Sequence, residues 1–363
     1  MTVRHTRPGD SPMAPRGDAR PPRFSIVVPL YDCRDAGMRA VDSALAQDFP
    51  RDRFEVIAIV DARVSREAID APLAQCDQVI AVDADFASVD AEIALFDAGA
   101  RAASGDYLYF IEGHTVLDPG AVRALASHLR LHRDCAIVCG RRANHARTNL
   151  GILVGGNNDA HEARALARGN FTLGANCAIR RDVFARLGGF DARFARFGET
   201  VLCERARDAG VGIGALDAVL CTHHNDTGFR WLVRLLLATG RAKARYYATP
   251  GVTRVRHPVY RWVGSPLTAA LAAWPLRIAG PAAILLAIAI VRRIPAQAQA
   301  LYRFAIGMTD VAGYCLERSV WRARRSEPRR TTPDSPRPHG EPGDVRAASV
   351  IATDGGVRPG SLA

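Results

Sequence analysis

Between Asp226 and Asp310 the chain has no aspartate or glutamate at all. Over the same stretch it has twelve arginine and lysine residues, from Arg230 to Arg303, which account for the whole of the formal net charge of +11. This basic run encloses an apolar stretch, a combination that suits the negative surface of a membrane leaflet better than a duplex groove, so nucleic acid is not expected as a partner. A solvated basic face is the plainer alternative. After Met1 there is no apolar segment of the roughly 7–15 residues that a secretory signal needs, so the main domain is expected to stay in the cytoplasm. No G-x-G-x-x-G follows the first apolar strand, which argues against a nicotinamide-dependent enzyme on a Rossmann sheet. The eight cysteines lack any CxxC pair, which excludes a zinc ribbon and leaves buried free thiols as the expectation.

What is present is enough for one large α/β domain with an appendage. Residues 1–22 and 322–363 are rich in Pro, Gly, Arg and Asp and are expected to be disordered. Between them, Phe24-Ser-Ile-Val-Val-Pro-Leu30, Phe54-Glu-Val-Ile-Ala-Ile-Val60, Gln78-Val-Ile-Ala-Val82 and Asp106-Tyr-Leu-Tyr-Phe-Ile111 are short continuous apolar runs separated by helix-like segments. Runs of this kind read as buried parallel strands with helices on both faces of the sheet. Ligands bind such sheets beyond the carboxyl ends of the strands, which marks Tyr31, Asp32, Asp61, Asp83 and Glu112-Gly113-His114 as one candidate pocket rim. A helix is expected from Pro119 to His132, a strand at Cys135–Cys139, a helix from Glu199 to Gly210 and a last strand before His223-His224. Residues 140–172 are polar and weakly patterned, with Gly155-Gly156-Asn157-Asn158 indicating a loop.

Beyond a basic helical connector over 226–262, the chain is apolar from Val263 to Val291 except for Arg277, but Pro266, Pro275 and Pro281 interrupt it. Its most apolar part is shorter than the ~20 residues of a simple span. An interfacial or re-entrant helical pair fits best within membrane-associating helices over 263–321; one kinked span from Leu267 and a buried soluble helix are the alternatives.

These residues together resemble the inverting family 2 glycosyltransferases, whose fold is termed GT-A, over about residues 23–225. Val27-Val-Pro29-Leu-Tyr31-Asp32 resembles the strand end Pro-x-Tyr-Asn, with Asp in place of Asn. Val60-Asp61-Ala62-Arg63 keeps the first carboxylate of Asp-Asp-Gly-Ser. Asp97 to Pro119 is similar to the Asn-x-Gly region, strand and Asp-x-Asp of the family, with Glu112-Gly113-His114 in the metal-binding place. Gly174-Ala175-Asn176, Arg180-Arg181 and Gly188-Gly189-Phe190-Asp191 resemble the later acceptor-side segment, and Gly198-Glu199 resembles Glu-Asp-x-x-Leu. The C-terminal basic and apolar region is similar to the membrane-associating tails of bacterial members.

The resemblance implies a transferase that moves a sugar from a nucleotide-sugar donor to a lipid-linked or polysaccharide acceptor of the cell envelope, on the cytoplasmic side of the inner membrane. Pro29, Tyr31, Asp32, Asp61 and Asp83 would face the donor, Gly174, Asn176 and Arg181 the acceptor, and Glu199 would be the base. Glu199 near a helix start is also what the macrodipole favours without catalysis. Glu112 and His114, joined by His223 or His224, offer a ligand set for Mn2+ or Mg2+; imidazole is better tolerated by Mn2+. A metal-free polar turn at Glu112–His114, or direct phosphate binding by His114, are the alternatives. The rival function is a non-catalytic GT-A-like protein that binds a nucleotide sugar or a partner transferase.

Overall fold

The computed structural model describes residues 21–30, 35–62, 73–83, 91–167, 177–249, 260, 263, 266–326 and 346–351. Its centre is a nine-stranded sheet in the order β5-β8-β6-β7-β4-β1-β2-β3-β9. The apolar runs form β1 (Phe24–Pro29), β2 (Phe54–Asp61), β3 (Gln78–Asp83) and β4 (Tyr107–Phe110), mutually parallel in the order 3-2-1-4. Each is buried because both faces are covered, and alternation of side chains splits the core in two. Phe24, Ile26 and Val28 pack with Val41 and Ala44 of α1 (Asp35–Leu45) and with Val122 and Leu125 of α3 (Ala121–Leu131). Val27, Ile57, Ile59 and Phe110 pack on the other face with Ile93 and Phe96 of α2 (Ala91–Ala102).

Past β4 the sheet is mixed. β7 (Cys177–Arg180) runs antiparallel to both β4 and β6 (Cys135–His145), while β8 (Gly212–His224) runs parallel to β6 and antiparallel to the short β5 (Thr115–Leu117). α5 (Arg181–Arg186) and α6 (Gly198–Asp208) add Val183, Leu202 and Ala206 to the second core. Every cysteine among the described residues is buried and free.

Two expectations change here. Residues 149–167 form a helix, α4, where a loop was expected, and Gly155 and Gly156 lie inside it. Glycine disfavours a helix by ~1 kcal/mol each, but a Cβ at Gly155 would press on Asn144 and Asn225, at 3.3 and 3.4 Å, and one at Gly156 on Gln299 at 2.9 Å. Close packing has overridden propensity. Within 322–363, expected to lack order, the last helix continues to Ser326 and β9 (Arg346–Ile351) pairs antiparallel with β3. An open edge of β3 offers unpaired backbone groups, and a short Ala-Ala-Ser-Val-Ile segment can satisfy them.

The C-terminal part is a bundle of α7 (Phe229–Tyr247), α8 (Pro266–Ile290) and α9 (Pro295–Ser326). The apolar stretch is thus one helix running through Pro275 and Pro281, not a re-entrant pair, and Leu267–Ile290 is long and apolar enough to cross a membrane. Its Ala269, Ala273, Ile284, Ala287 and Val291 are buried, whereas Leu267, Leu271, Trp274, Ile278 and Leu285 form an exposed stripe at helical spacing. α7 is more than a connector. Its Ala242, Tyr246 and Tyr247 pack on Phe194, Phe197 and Val201, the segment that leads into and begins α6. Tyr246 hydrogen-bonds Glu204, and the Lys243 ammonium sits 5.7 Å above the Phe197 ring while pairing with Asp310 at 2.8 Å.

α7 and α9 cross at glycine. A Cβ on Gly240 would lie 1.9 Å from the Asp310 carbonyl oxygen, which is backbone and cannot rotate away. Gly240→Ala is therefore expected to destabilise the chain by about 1–3 kcal/mol, read as a lower denaturant midpoint; an unchanged midpoint would show that the helices can separate without loss.

Candidate active site

Because β3, β2, β1 and β4 are parallel, their last residues Asp83, Asp61, Pro29 and Phe110 share one edge of the sheet. Asp61 is half-buried there, beside Val82, and Asp83 is exposed, in register with Arg346. Tyr31 and Asp32 lie outside the described residues, as do Gly174 and Asn176.

After Phe110 the chain turns through Glu112-Gly113-His114 and enters β5. The turn is closed by Thr115 N–H donating to the Glu112 carbonyl at 2.9 Å. β5 then pairs with the end of β8 in a register that sets Thr115 opposite His223, and His224 N–H donates to the His114 carbonyl at 3.2 Å. The side chains converge as a result. His223 Nε2 lies 2.6 Å from Glu112 Oε2 and 3.0 Å from His114 Nε2, and His114 Nε2 lies 3.1 Å from the same carboxylate oxygen. One ligand atom from each of the three residues falls within a span of 4.8 Å.

Glu112 and His223 are 6% and 5% exposed, while the His114 side chain is 36% exposed and forms the open side of the cluster. Burial alone would push the Glu112 carboxyl up, but hydrogen bonds and charge from His114 and His223 hold it well below the usual carboxylate range. Burial pushes His223 the other way, toward neutral imidazole, and prevails over the pull of Glu112. One carboxylate oxygen and two imidazole nitrogens converging on one point are donors that a divalent cation takes in exchange for the protons between them. The donors fit a cation.

Glu199 is half-buried in the first turn of α6. The thiol of Cys177 is raised first by its burial and then by Cys139, Cys203 and Glu199, and Cys177 is the strand partner of Phe110. Gly198, just before it, faces Ile93 in the first turn of α2, the helix that follows the carboxyl end of β3, so Glu199 is on the Glu112 side of β4. Arg181 is not. Its N–H donates to the Asp106 carbonyl and its Nε to that of Gly105, both at 2.8 Å, which fixes it at the amino end of β4, opposite the cluster. Its expected acceptor-side place is corrected accordingly: β7 is antiparallel to β4, so Arg181, directly after β7, is carried to the far end.

Sequence reasoning missed the amides behind His223. Asn225 accepts from His223 Nδ1 at 2.8 Å and is 3% exposed, with Asn144 and Asn158 around it. The pattern His223-His224-Asn225 was legible, but the approach of Asn144 and Asn158 depends on β6 and α4.

Asp226 ties that end of β8 to the start of α4. Its carboxylate accepts from the backbone N–H of Arg147 and Thr148 at 3.0 and 2.9 Å and from the Thr148 hydroxyl at 2.9 Å. Burial raises its pKa, but the Thr148 and Arg147 hydrogen bonds together outweigh it and bring the value from 3.8 down to about 2. A depressed folded-state pKa contributes stability above the ordinary value, and that contribution is lost as pH falls toward the folded one. Between pH 3.8 and about 2 the wild-type chain should thus lose stability more steeply than Asp226→Asn in denaturant titrations; parallel curves would remove Asp226 from the acid limb.

Comparison with known proteins agrees with this fold. A family model described as glycosyltransferase like family 2 matches residues 21–242. Among solved structures, the chain is similar to the mannosyltransferase PcManGT from Pyrobaculum calidifontis in complex with GDP-Man and Mn2+, at 17% identity and a TM-score of 0.53, over 84% of this chain and 88% of that one. It is also similar to S. aureus TarS 1-349 in complex with UDP, at 11% identity and a TM-score of 0.44, over 83% of this chain and 92% of that one. No curated protein matches. The likeness to PcManGT shows a shared GT-A fold.

Proposed function

As the chain belongs to the glycosyltransferase like family 2, and is on that ground a transferase, we propose that it moves a sugar, with inversion, from a nucleoside-diphosphate sugar to a lipid-linked or polysaccharide acceptor at the cytoplasmic face of the membrane. The observation that carries this reading is the convergence of Glu112, His114 and His223 at the carboxyl edge of the parallel strands. The complex of PcManGT with GDP-Man and Mn2+ supports the donor class and the cation.

Glu112, His114 and His223 would hold the cation. When bound, it supplies counter-charge to the leaving diphosphate. Two imidazoles and one carboxylate favour Mn2+ over the harder Mg2+, which prefers an all-oxygen set. Asp61, at the end of β2, accepts hydrogen bonds from the nucleoside. Glu199 takes the proton of the acceptor hydroxyl as that oxygen bonds to the anomeric carbon and the bond to the diphosphate breaks. Glu199→Gln in the full chain is expected to keep donor binding while lowering turnover by at least about 100-fold, with Mn2+ supporting wild-type donor hydrolysis better than Mg2+. Full turnover by Glu199→Gln would remove it as the base. Donor binding without hydrolysis or transfer by the wild-type chain, across a broad acceptor panel, would favour the non-catalytic rival.

The exposed stripe of α8 supports the location. Leu271 and Trp274 are 70% and 67% exposed, while the opposite face is committed to α9, which exposes Arg303 and buries Asp310. A helix with one face bound to a charged partner is suited to lie in the interface rather than cross the bilayer. Arg277, Arg292 and Arg293 on and beside α8 are exposed and suit anionic headgroups. The double substitution Leu271→Glu, Ile278→Glu should abolish sedimentation with anionic vesicles at unchanged fold; undiminished binding would overturn this placement.

A further inference from the structure

The sequence Gly155-Gly156-Asn157-Asn158-Asp159, which reads as a loop, is a helical surface pressed against the back of the histidine cluster. We infer that it serves, with Asn144 and Asn225, as a directional amide relay that fixes the tautomer of His223 and aims its Nε2 lone pair at the cation. The inference rests on the reading of Glu112, His114 and His223 as a cation site and assigns positioning residues behind it.

The direction of the relay is set at two places where the hydrogen-bonding group cannot be reversed. Asn225 Nδ2 faces the backbone carbonyls of His223 and His145 at 3.1 and 3.4 Å as well as Asn144 Oδ1 at 2.9 Å. Carbonyls only accept, so a flipped Asn225 amide would oppose oxygen to oxygen. Asn144 is oriented in turn, because its Nδ2 donates to the Asp159 carboxylate at 2.5 Å, leaving its oxygen for Asn225. With its nitrogen so committed, Asn225 turns Oδ1 toward His223 Nδ1 and toward Asn158 Nδ2, both at 2.8 Å. An amide oxygen requires a proton on Nδ1. A ring that keeps its proton on Nδ1 takes a cation through Nε2, the atom 2.6 Å from Glu112 Oε2 and 3.0 Å from His114 Nε2.

Without the relay, the more favourable arrangement of an isolated Glu112–His223 pair would place the proton on Nε2, donated to the carboxylate, and close the site to a cation. Helix α4 delivers Asn158 and Asp159 together, on either side of the Asn225–Asn144 pair. Gly155, one turn earlier on the helix, faces the same pair, its Cβ position lying 3.3 Å from Asn144 Cβ and 3.4 Å from Asn225 Nδ2. Partners that orient a ligating histidine commonly change metal affinity about 10–100-fold when removed.

The test uses the full chain. Nitrogen-15 NMR of the wild type is expected to show a proton on His223 Nδ1, and Asn225→Leu, close in shape but without the acceptor, is expected to lose it. Titration with Mn2+ alone should give an affinity about 10–100-fold weaker for Asn225→Leu. An unprotonated His223 Nδ1 in the wild type, which needs no variant to fold, or undiminished Mn2+ affinity in Asn225→Leu, overturns the inference while leaving the cation site standing. Failure of the wild type to bind Mn2+ removes the cation site itself, and the relay's purpose with it.

Discussion

Three residue pairs hold the site together. Thr115, Val116 and Leu117 pair antiparallel with His223, Thr222 and Cys221, and this short ladder brings the turn after β4 to the end of β8. Side chains alternate along a strand, so a slip of one residue would turn His223 away from the cluster and present Thr222 or His224 in its place. Glu112 and His114 come from one end of the sheet's central strand and His223 from the end of a strand more than a hundred residues later. The ligand set exists only in this register.

Burial of a carboxylate does not by itself mark function in this fold, and the contrast between two glutamates shows why. Glu55, at the amino ends of β1 and β2, accepts from the Ser25 and Ser104 hydroxyls and from the Ser104 and Gly105 backbone N–H. Burial would raise its pKa, but these donors bring it down and leave nothing for a ligand to supply. Glu112, at the carboxyl end, meets the imidazole Nε2 atoms of His114 and His223, of which His223 has its Nδ1 committed to Asn225. The first is a closed structural network; the second is a set of three ligand atoms of the types a divalent cation takes. Helix α7 then links this end of the molecule to the basic bundle, because the aromatic contacts of Tyr246 and Tyr247 with Phe194 and Phe197 hold the segment that enters α6 and its Glu199. The helix bundle bearing the exposed apolar stripe is therefore packed against the same element as the candidate base.

Much of this was legible from residue order. The four apolar runs appear as the parallel strands of the core, and their polar ends mark the edge where the cluster lies. Periodicity gave α3 and α6 to within a few residues. What failed did so for identifiable reasons. The glycines and asparagines of 155–158 have low helix propensity, and only their packing on Asn144, Asn225 and Gln299 makes a helix of them. Pro275 and Pro281 read as breaks but sit in a helix whose neighbours α7 and α9 support it. Arg181 matched a motif, yet strand direction carried it to the wrong end of β4.

The amino-acid sequence by itself determined the α/β core, the carboxyl-edge location of the site and the basic, apolar character of the C-terminal helices, because hydrophobic periodicity and charge are local properties of the chain. Only the tertiary structure decided that His223 joins Glu112 and His114, that Asn225, Asn144 and Asn158 stand behind it and that α7 supports α6. Each of these depends on strand register or helix crossing between segments distant in sequence, and such contacts leave no periodic trace in either partner.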